Sequence, residues 1–222
     1  DQVKRERLLR GVTAGERAAR DRGEFTQLEG RIFTDFQRHV HVIPSQEIPT
    51  EWPGYMAIDF GTRAPFACVV MAIDPSDDIL HVIDVHYQTE WTLRQHAKVM
   101  HQFIEKYGEP EWIVADPEDK GSRLALSREH GLPNIPARKG KGSVRKGIND
   151  VCERLALDVE GRPHLLIHDN CTEVIQEIET YVWDERRDGA INDQPKARQA
   201  DHAIDALRYA CMRLPYRDFT VG

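Results

Sequence analysis

Apolar and polar positions fall into a strand-and-helix rhythm from about residue 54 onward. Tyr55-Met56-Ala57-Ile58-Asp59-Phe60 is an apolar run holding one acid, which predicts a central strand buried on both faces. Phe66 to Ile73 predicts a second strand, and Asp74-Pro75-Ser76-Asp77-Asp78 is a strong turn signal. Leu80, Val82, Ile83, Val85 and Tyr87 then alternate imperfectly with polar groups, giving a third strand over 79–87 and an antiparallel meander. Thr92 is placed to cap a helix over 93–107 that stops at Gly108 before Pro110. Helices follow over 121–130, 144–158 (capped by Ser143), 171–182 and 199–213. Short strands lie between them at 112–116, 134–137 and 165–168. In the helix at 171–182, Val174, Ile175, Ile178 and Val182 form the apolar stripe.

Three meandering strands, then alternating helices and strands, then a closing helix make an α/β fold: a mixed sheet with helices on its faces. Pro44, Pro49 and Pro53 read as a linker, and the main domain boundary is placed there. Before it, 29–36 has weak strand character and 1–24 reads as helical pieces or a partly ordered leader. The polar stretch from Arg186 to Arg198 reads as a mobile loop. Neither an internal repeat nor a low-complexity tract is present.

Composition narrows the class. A hydrophobic content of 40% and a charged content of 30% describe an ordinary globular chain, with no apolar run long enough to cross a bilayer. The first residues are highly charged, so no signal peptide is expected, and the absence of an initial Met leads us to expect a piece of something longer or a processed product. A net charge of −7 excludes a generic basic DNA binder but not a protein with one positive face. Cys68, Cys152, Cys171 and Cys211 are scattered with no Cys-x-x-Cys pair, which argues against structural zinc and for reduced, mostly buried thiols.

The chemistry is concentrated in aspartates. Asp59 and Asp116 each close an apolar run, so both are delivered to a sheet rim, where sites of α/β proteins lie. Asp201 and Asp205 are four apart on a helix and share one face, with Ala203, Ile204, Leu207 and Ala210 to dock it. Converging carboxylates of this kind suit Mg²⁺ or Mn²⁺. A strand-end Asp is also a turn former or helix cap, and Asp201 alone reads as an N-cap. Asp205 is harder to explain so, because helix interiors disfavour Asp and its neighbours look buried.

Five segments carry a family likeness: Ile58-Asp59-Phe60-Gly61, Val114-Ala115-Asp116, Lys139 to Ile148, Tyr181-Val182-Trp183, and Asp201 to Tyr209. In this order they resemble the nuclease domain of tailed-phage terminase large subunits, over roughly residues 52–214. Residues 28–43 look like the segment joining that family's packaging ATPase to its nuclease. No Gly-x-x-x-x-Gly-Lys-Ser/Thr loop is present, so the ATPase is expected to be missing. The resemblance implies residues 1–50 as linker and end of the missing ATPase, 51–215 as an RNase H-like domain, and 216–222 as a tail. It implies cutting of concatemeric double-stranded DNA in the host cytoplasm, partly at the procapsid portal, with the portal protein and the small terminase subunit as partners. By the same likeness Asp59, Asp116 and Asp205 map to the metal acids, with Asp201 alongside and His202 as ligand, proton carrier or phosphate contact.

The expected mechanism uses two Mg²⁺ or Mn²⁺ ions roughly 3.5–4 Å apart, with no nucleotide. Asp59, Asp116, Asp205 and His202 are the catalytic candidates. For DNA, the glycine-spaced basic stretch Arg138, Lys139, Lys141, Arg145 and Lys146 offers phosphate contacts, Ser143 a helix start, and Arg63 a further cation. A solvated loop is the competing reading. Tyr181 and Trp183 read as packing at a helix end rather than base stacking. Alternatives for the whole chain are another RNase H-like nuclease of resolvase or transposase type, an actin-like or sugar-kinase ATPase fragment (which Ile58-Asp59-Phe60-Gly61-Thr62 also resembles), and an inactive assembly module.

Overall fold

The computed structural model describes residues 30–61, 63–185 and 191–214. A short helix α1 (Arg38–His41) leads into β1 (Val42–Ile43). The meander follows as β2 (Gly54–Asp59), β3 (Phe66–Asp74) and β4 (Ile79–Gln88), and then α2 (Leu93–Tyr107), β5 (Trp112–Ala115), α3 (Lys120–Glu129), β6 (Ile135–Pro136), α4 (Ser143–Leu155), β7 (Leu165–His168) and α5 (Thr172–Thr180). A two-stranded ribbon, β8 (Trp183–Glu185) and β9 (Ile191–Pro195), precedes the closing helix α6 (His202–Cys211).

The seven-stranded sheet has the order β1-β7-β4-β3-β2-β5-β6. β2, β3 and β4 pair antiparallel, while β5 joins β2, β6 joins β5, β7 joins β4 and β1 joins β7 in parallel. Strand parity sorts the core. Ala57, Ala67, Val69, Met71, Ile73 and Val114 face a layer built from α4, α5, α6 and Ile32, Phe33 and Phe36. Met56, Ile58, Phe66, Cys68, Val70, Ala72 and Ile113 face the other layer, supplied by α2 and α3 through Ala97, Met100, Phe103 and Leu126. Both faces are covered, which is why these strands read as near-continuous apolar runs.

Local signals set most boundaries. At the start of α2, the Gln95 side chain reaches back to accept the Thr92 N–H at 2.8 Å, and Gly108 ends the helix at φ 90°. α4 differs from expectation: Gly142, at φ 81°, is its cap, and Ser143 is its first residue. Two segments depart further. Residues 30–43, read as linker, insert Ile32, Phe33 and Phe36 into the core and add β1 beside β7, so the folded body starts earlier than the prolines indicate. The weak strand expected at 29–36 is a single bridge, Arg31 to Val182. Within the expected loop Arg186–Arg198, β9 pairs with β8; the polar Asn192-Asp193-Gln194 gives no alternating apolar signal to announce it, and 186–190 lie outside the described residues. The four cysteines are free, three of them buried. Among the described residues no helix is long and apolar enough to cross a membrane.

The α2 layer holds a buried polar pair. His86 Nε2 and His96 Nδ1 share a hydrogen bond at 2.8 Å, and His96 lies flat on Phe66 with ring centroids 4.0 Å apart. Burial lowers both imidazoles, and His96, further opposed by His86, is pushed down to about 4. The native state therefore binds fewer protons than the unfolded chain between pH 6.5 and about 4, and stability falls as pH drops through that window. We expect a loss on the order of 2 kcal/mol between pH 7 and pH 4 from this pair, read from urea midpoints. His96→Gln flattens part of that slope.

Candidate active site at the sheet rim

Register brings the first two acids together. β2 and β5 are neighbours, with Ile58 opposite Ala115, and the Asp116 N–H donates to the Ile58 carbonyl at 3.0 Å. Asp59 and Asp116 thus leave adjacent strands at the same level. They share the parity of Ala57 and Val114, which face the layer containing α6. Immediately beyond Asp59 the chain turns so tightly that a Cβ on Gly61 would stand 2.3 Å from the carbonyl oxygens of Ala64 and Pro65. Only glycine fits that approach.

α6 delivers the rest. Ala203, Ile204, Leu207 and Ala210 are fully buried against the sheet and neighbouring helices. This docking sets His202 Nδ1 2.8 Å from Asp59 Oδ2, and the Tyr209 hydroxyl 3.5 Å from Asp59 Oδ1. Asp205 accepts from Arg208 at 2.6 and 3.2 Å. Arg208 is itself buried and lies over Gly147 of α4, where an added Cβ would meet its Cβ and Nη1 at 3.1 Å. Asp201 is the N-cap residue of α6 but makes no side-chain cap bond, which leaves its carboxylate uncommitted to the helix end.

Electrostatics record the crowding. Burial raises Asp59; the His202 hydrogen bond opposes the rise, and the charges of Asp205 and Asp116 add to it. Asp201 is pushed up to about 6, first by burial and then by Asp205, with Glu177 and Asp59 contributing. His202 is raised, chiefly through its bond to Asp59. Each of three acids has a basic partner: His202 for Asp59, Arg208 for Asp205, and Lys139, at 3.6 Å, for Asp116. Among the described residues no three His, Cys, Asp or Glu side chains already close on one point as an ion cage. The donor chemistry still fits a hard divalent cation: carboxylate oxygens in excess, partly buried, with the proton affinities of Asp59 and Asp201 raised.

Several supporting residues were not anticipated from sequence. Glu177 of α5 is almost fully buried and accepts from the Tyr87 hydroxyl at 2.7 Å and the Ile204 N–H at 2.9 Å, so it caps the first turn of α6. Its signal was a charged residue on an apolar stripe, three after Val174. Arg208, four after Ile204, carries the same signal. The basic stretch is not uniformly free. Arg138 and Lys141 are exposed, whereas Lys139 folds back onto Glu118 at 2.6 Å. Lys146 pairs with Asp150, and Arg145 sits 4.7 Å over the Trp183 ring. Ser143 Oγ accepts from the Gly140 N–H at 3.3 Å, and Arg63 is exposed. Tyr181 is buried and stacked on Phe33 at 5.7 Å, a packing role.

The sequence matches the family model described as Terminase RNAseH like domain over residues 59–212. It is 27% identical over 154 residues to the PBSX phage terminase large subunit of Bacillus subtilis (strain 168), covering 69% of this chain and 33% of that one. The large terminase of the thermophilic bacteriophage D6E is similar in structure, with a TM-score of 0.68 and 26% identity over 84% of this chain and 45% of that one. The nuclease domain of the g2p large terminase of bacteriophage SPP1, solved with bound Mn, has a TM-score of 0.61 across 78% of this chain and 96% of its own; at 23% identity that likeness speaks for the fold. The chain spans about a third of the PBSX protein and under half of the D6E chain.

Glu177→Ala leaves the Tyr87 hydroxyl and the Ile204 N–H without their acceptor. We expect it to cost about 2–4 kcal/mol of stability. Amide hydrogen exchange at Ala203 and Ile204 should accelerate more than exchange in the β3–β4 core.

Proposed function

Because the chain belongs to the terminase RNase H-like domain family, we propose that it is a metal-dependent endonuclease that cuts concatemeric double-stranded DNA during phage genome packaging. The observation that carries this reading is the meeting of Asp59, Asp116 and the first turns of α6 at one rim, pinned by the His202–Asp59 bond at 2.8 Å. Asp59, Asp116 and Asp205 are the residues to hold Mg²⁺ or Mn²⁺, with Asp201 beside them; bound manganese in the SPP1 nuclease domain supports that choice of metal. Such ions supply Lewis acidity and, at neutral pH, a water ready to attack phosphorus, two of them in the arrangement we favour.

The chain's own residues do the positioning. Asp59 orients the His202 ring through Nδ1 and favours its protonated form, which leaves Nε2 for a proton or a phosphate oxygen. Tyr209 closes the inner wall behind Asp59. Arg138, Lys141, Arg145, Lys146 and Arg63, with Ser143 in the first turn of α4, are the proposed backbone contacts. Contacts of this kind hold DNA without reading sequence, so low sequence specificity and a steep salt dependence go with them. Docking to a portal and to a small terminase subunit belongs to the whole packaging protein. Of the alternatives, the nucleotide-binding reading rested on the likeness of Ile58-Asp59-Phe60-Gly61-Thr62 to a phosphate motif and on a related sheet, and it gives no role to acids on α6. A resolvase-type nuclease would share the rim and differ in substrate.

Asp59→Ala and Asp116→Ala should each reduce Mn²⁺-dependent plasmid cleavage at least about a hundredfold while leaving filter-binding affinity for DNA within a few fold. Full cleavage by either purified variant would remove the residue from the site. Preference for a four-way junction over linear duplex would move the assignment to the resolvase type.

A further inference from the structure

Lys139 does not extend from the basic stretch toward solvent as its neighbours do. β6 runs parallel to β5 with Pro136 opposite Ala115, and the Ala137 N–H donates to the Ala115 carbonyl at 2.8 Å. That register brings the chain after β6 to the level of Asp116. The Lys139 ammonium then stands 3.6 Å from Asp116 Oδ1 and 2.6 Å from Glu118 Oε1. The Glu118 backbone is tied to the same acid, its N–H donating to Asp116 Oδ1 at 3.0 Å. Partial burial disfavours the ammonium, but Glu118 and Asp116 outweigh it and hold the lysine above its ordinary value, so it stays charged across the physiological range. Unlike Arg208, which is almost fully buried, Lys139 is 40% exposed and has room to leave.

We propose that Lys139 is a resident counter-cation of the acid pocket, neutralising Asp116 until a divalent ion arrives and then giving way toward Glu118 and the solvent side, where a DNA phosphate can take it up. This rests on the metal reading of the pocket. A divalent ion at Asp116 and an ammonium on the same oxygen repel, so the lysine sets a threshold for metal binding. Linkage makes the effect reciprocal: whatever draws Lys139 off Asp116 tightens metal binding, and metal frees Lys139 for phosphate. Positive coupling between DNA and metal follows from this one side chain.

The test is Mn²⁺ titration of the DNA-free chain by calorimetry, for wild type, K139M, K139R and K120M. Displacing a partly exposed ion pair corresponds to about a two- to fivefold change in affinity. K139M should bind Mn²⁺ tighter by about that factor, and K139R no tighter than wild type. K120M removes an exposed lysine at the start of α3 and should change little. Equal or weaker binding by K139M overturns the proposal, since a lysine that merely braced Asp116 would weaken metal binding when lost. An equal gain in K120M also overturns it, by reducing the effect to net charge. If wild type and K139M both bind no Mn²⁺, the metal reading itself falls and takes this inference with it; equal binding in both removes the inference alone.

Discussion

Repulsion among carboxylates held at the ends of two adjacent strands is the constraint around which this rim is built. Neighbouring strands lie about 5 Å apart, and two unit charges at that spacing repel by about 3 kcal/mol at an effective dielectric of 20. Asp59 and Asp116 occupy such positions, with Asp205 and Asp201 added from α6. The fold contains this cost with paired bases, with proton affinities raised at Asp59 and Asp201, and with apolar docking that holds α6 in place regardless. Each fully buried Ile or Leu on that helix contributes roughly 1.5–3 kcal/mol, so Ile204 and Leu207 together outweigh one such repulsion.

α6 therefore serves two purposes at once, and its sequence shows the compromise. The positions that face the sheet are small or aliphatic, which lets the helix lie close enough for His202 and Tyr209 to reach Asp59. Its polar positions are each met by a partner on another element or one turn away: Glu177 takes its first amides, Arg208 takes Asp205, and Gly147 leaves space for Arg208. The buried charges are organised as a chain from α5 through α6 to α4.

Most of this was legible in the sequence where a short-range rule applies. β2, β3 and β4 announced themselves through apolar runs and a dense turn signal, and α2 through Thr92 and Gly108. The four candidate acids could be named because strand ends and i, i+4 spacing are local facts. What stayed hidden depends on non-local pairing. β1 is two residues long and is a strand only because β7 lies beside it. β9 is polar and exists through β8. Lys139 looked like one more cation of a glycine-rich loop, because nothing in Arg138-Lys139-Gly140 reveals that parallel pairing of β5 and β6 sets it against Asp116. Glu177 was visible as an anomaly on an apolar stripe, yet its partners, Tyr87 and Ile204, are far away along the chain.

The three basic partners differ in a way that bears on how such a rim works. Arg208 is buried and fixed by two bonds to Asp205. His202 can lose or gain a proton and still orient Asp59. Lys139 is the most exposed of the three, at 40%. Of these three basic partners, one is buried and fixed, one can gain or lose a proton and one is partly exposed, and the differences follow from burial and from side-chain type. In a rim balanced in this way, each of three acids meets a base of its own chain. The longest of the three contacts, at 3.6 Å, is the one to the acid that follows β5, and it belongs to the most exposed of the three bases.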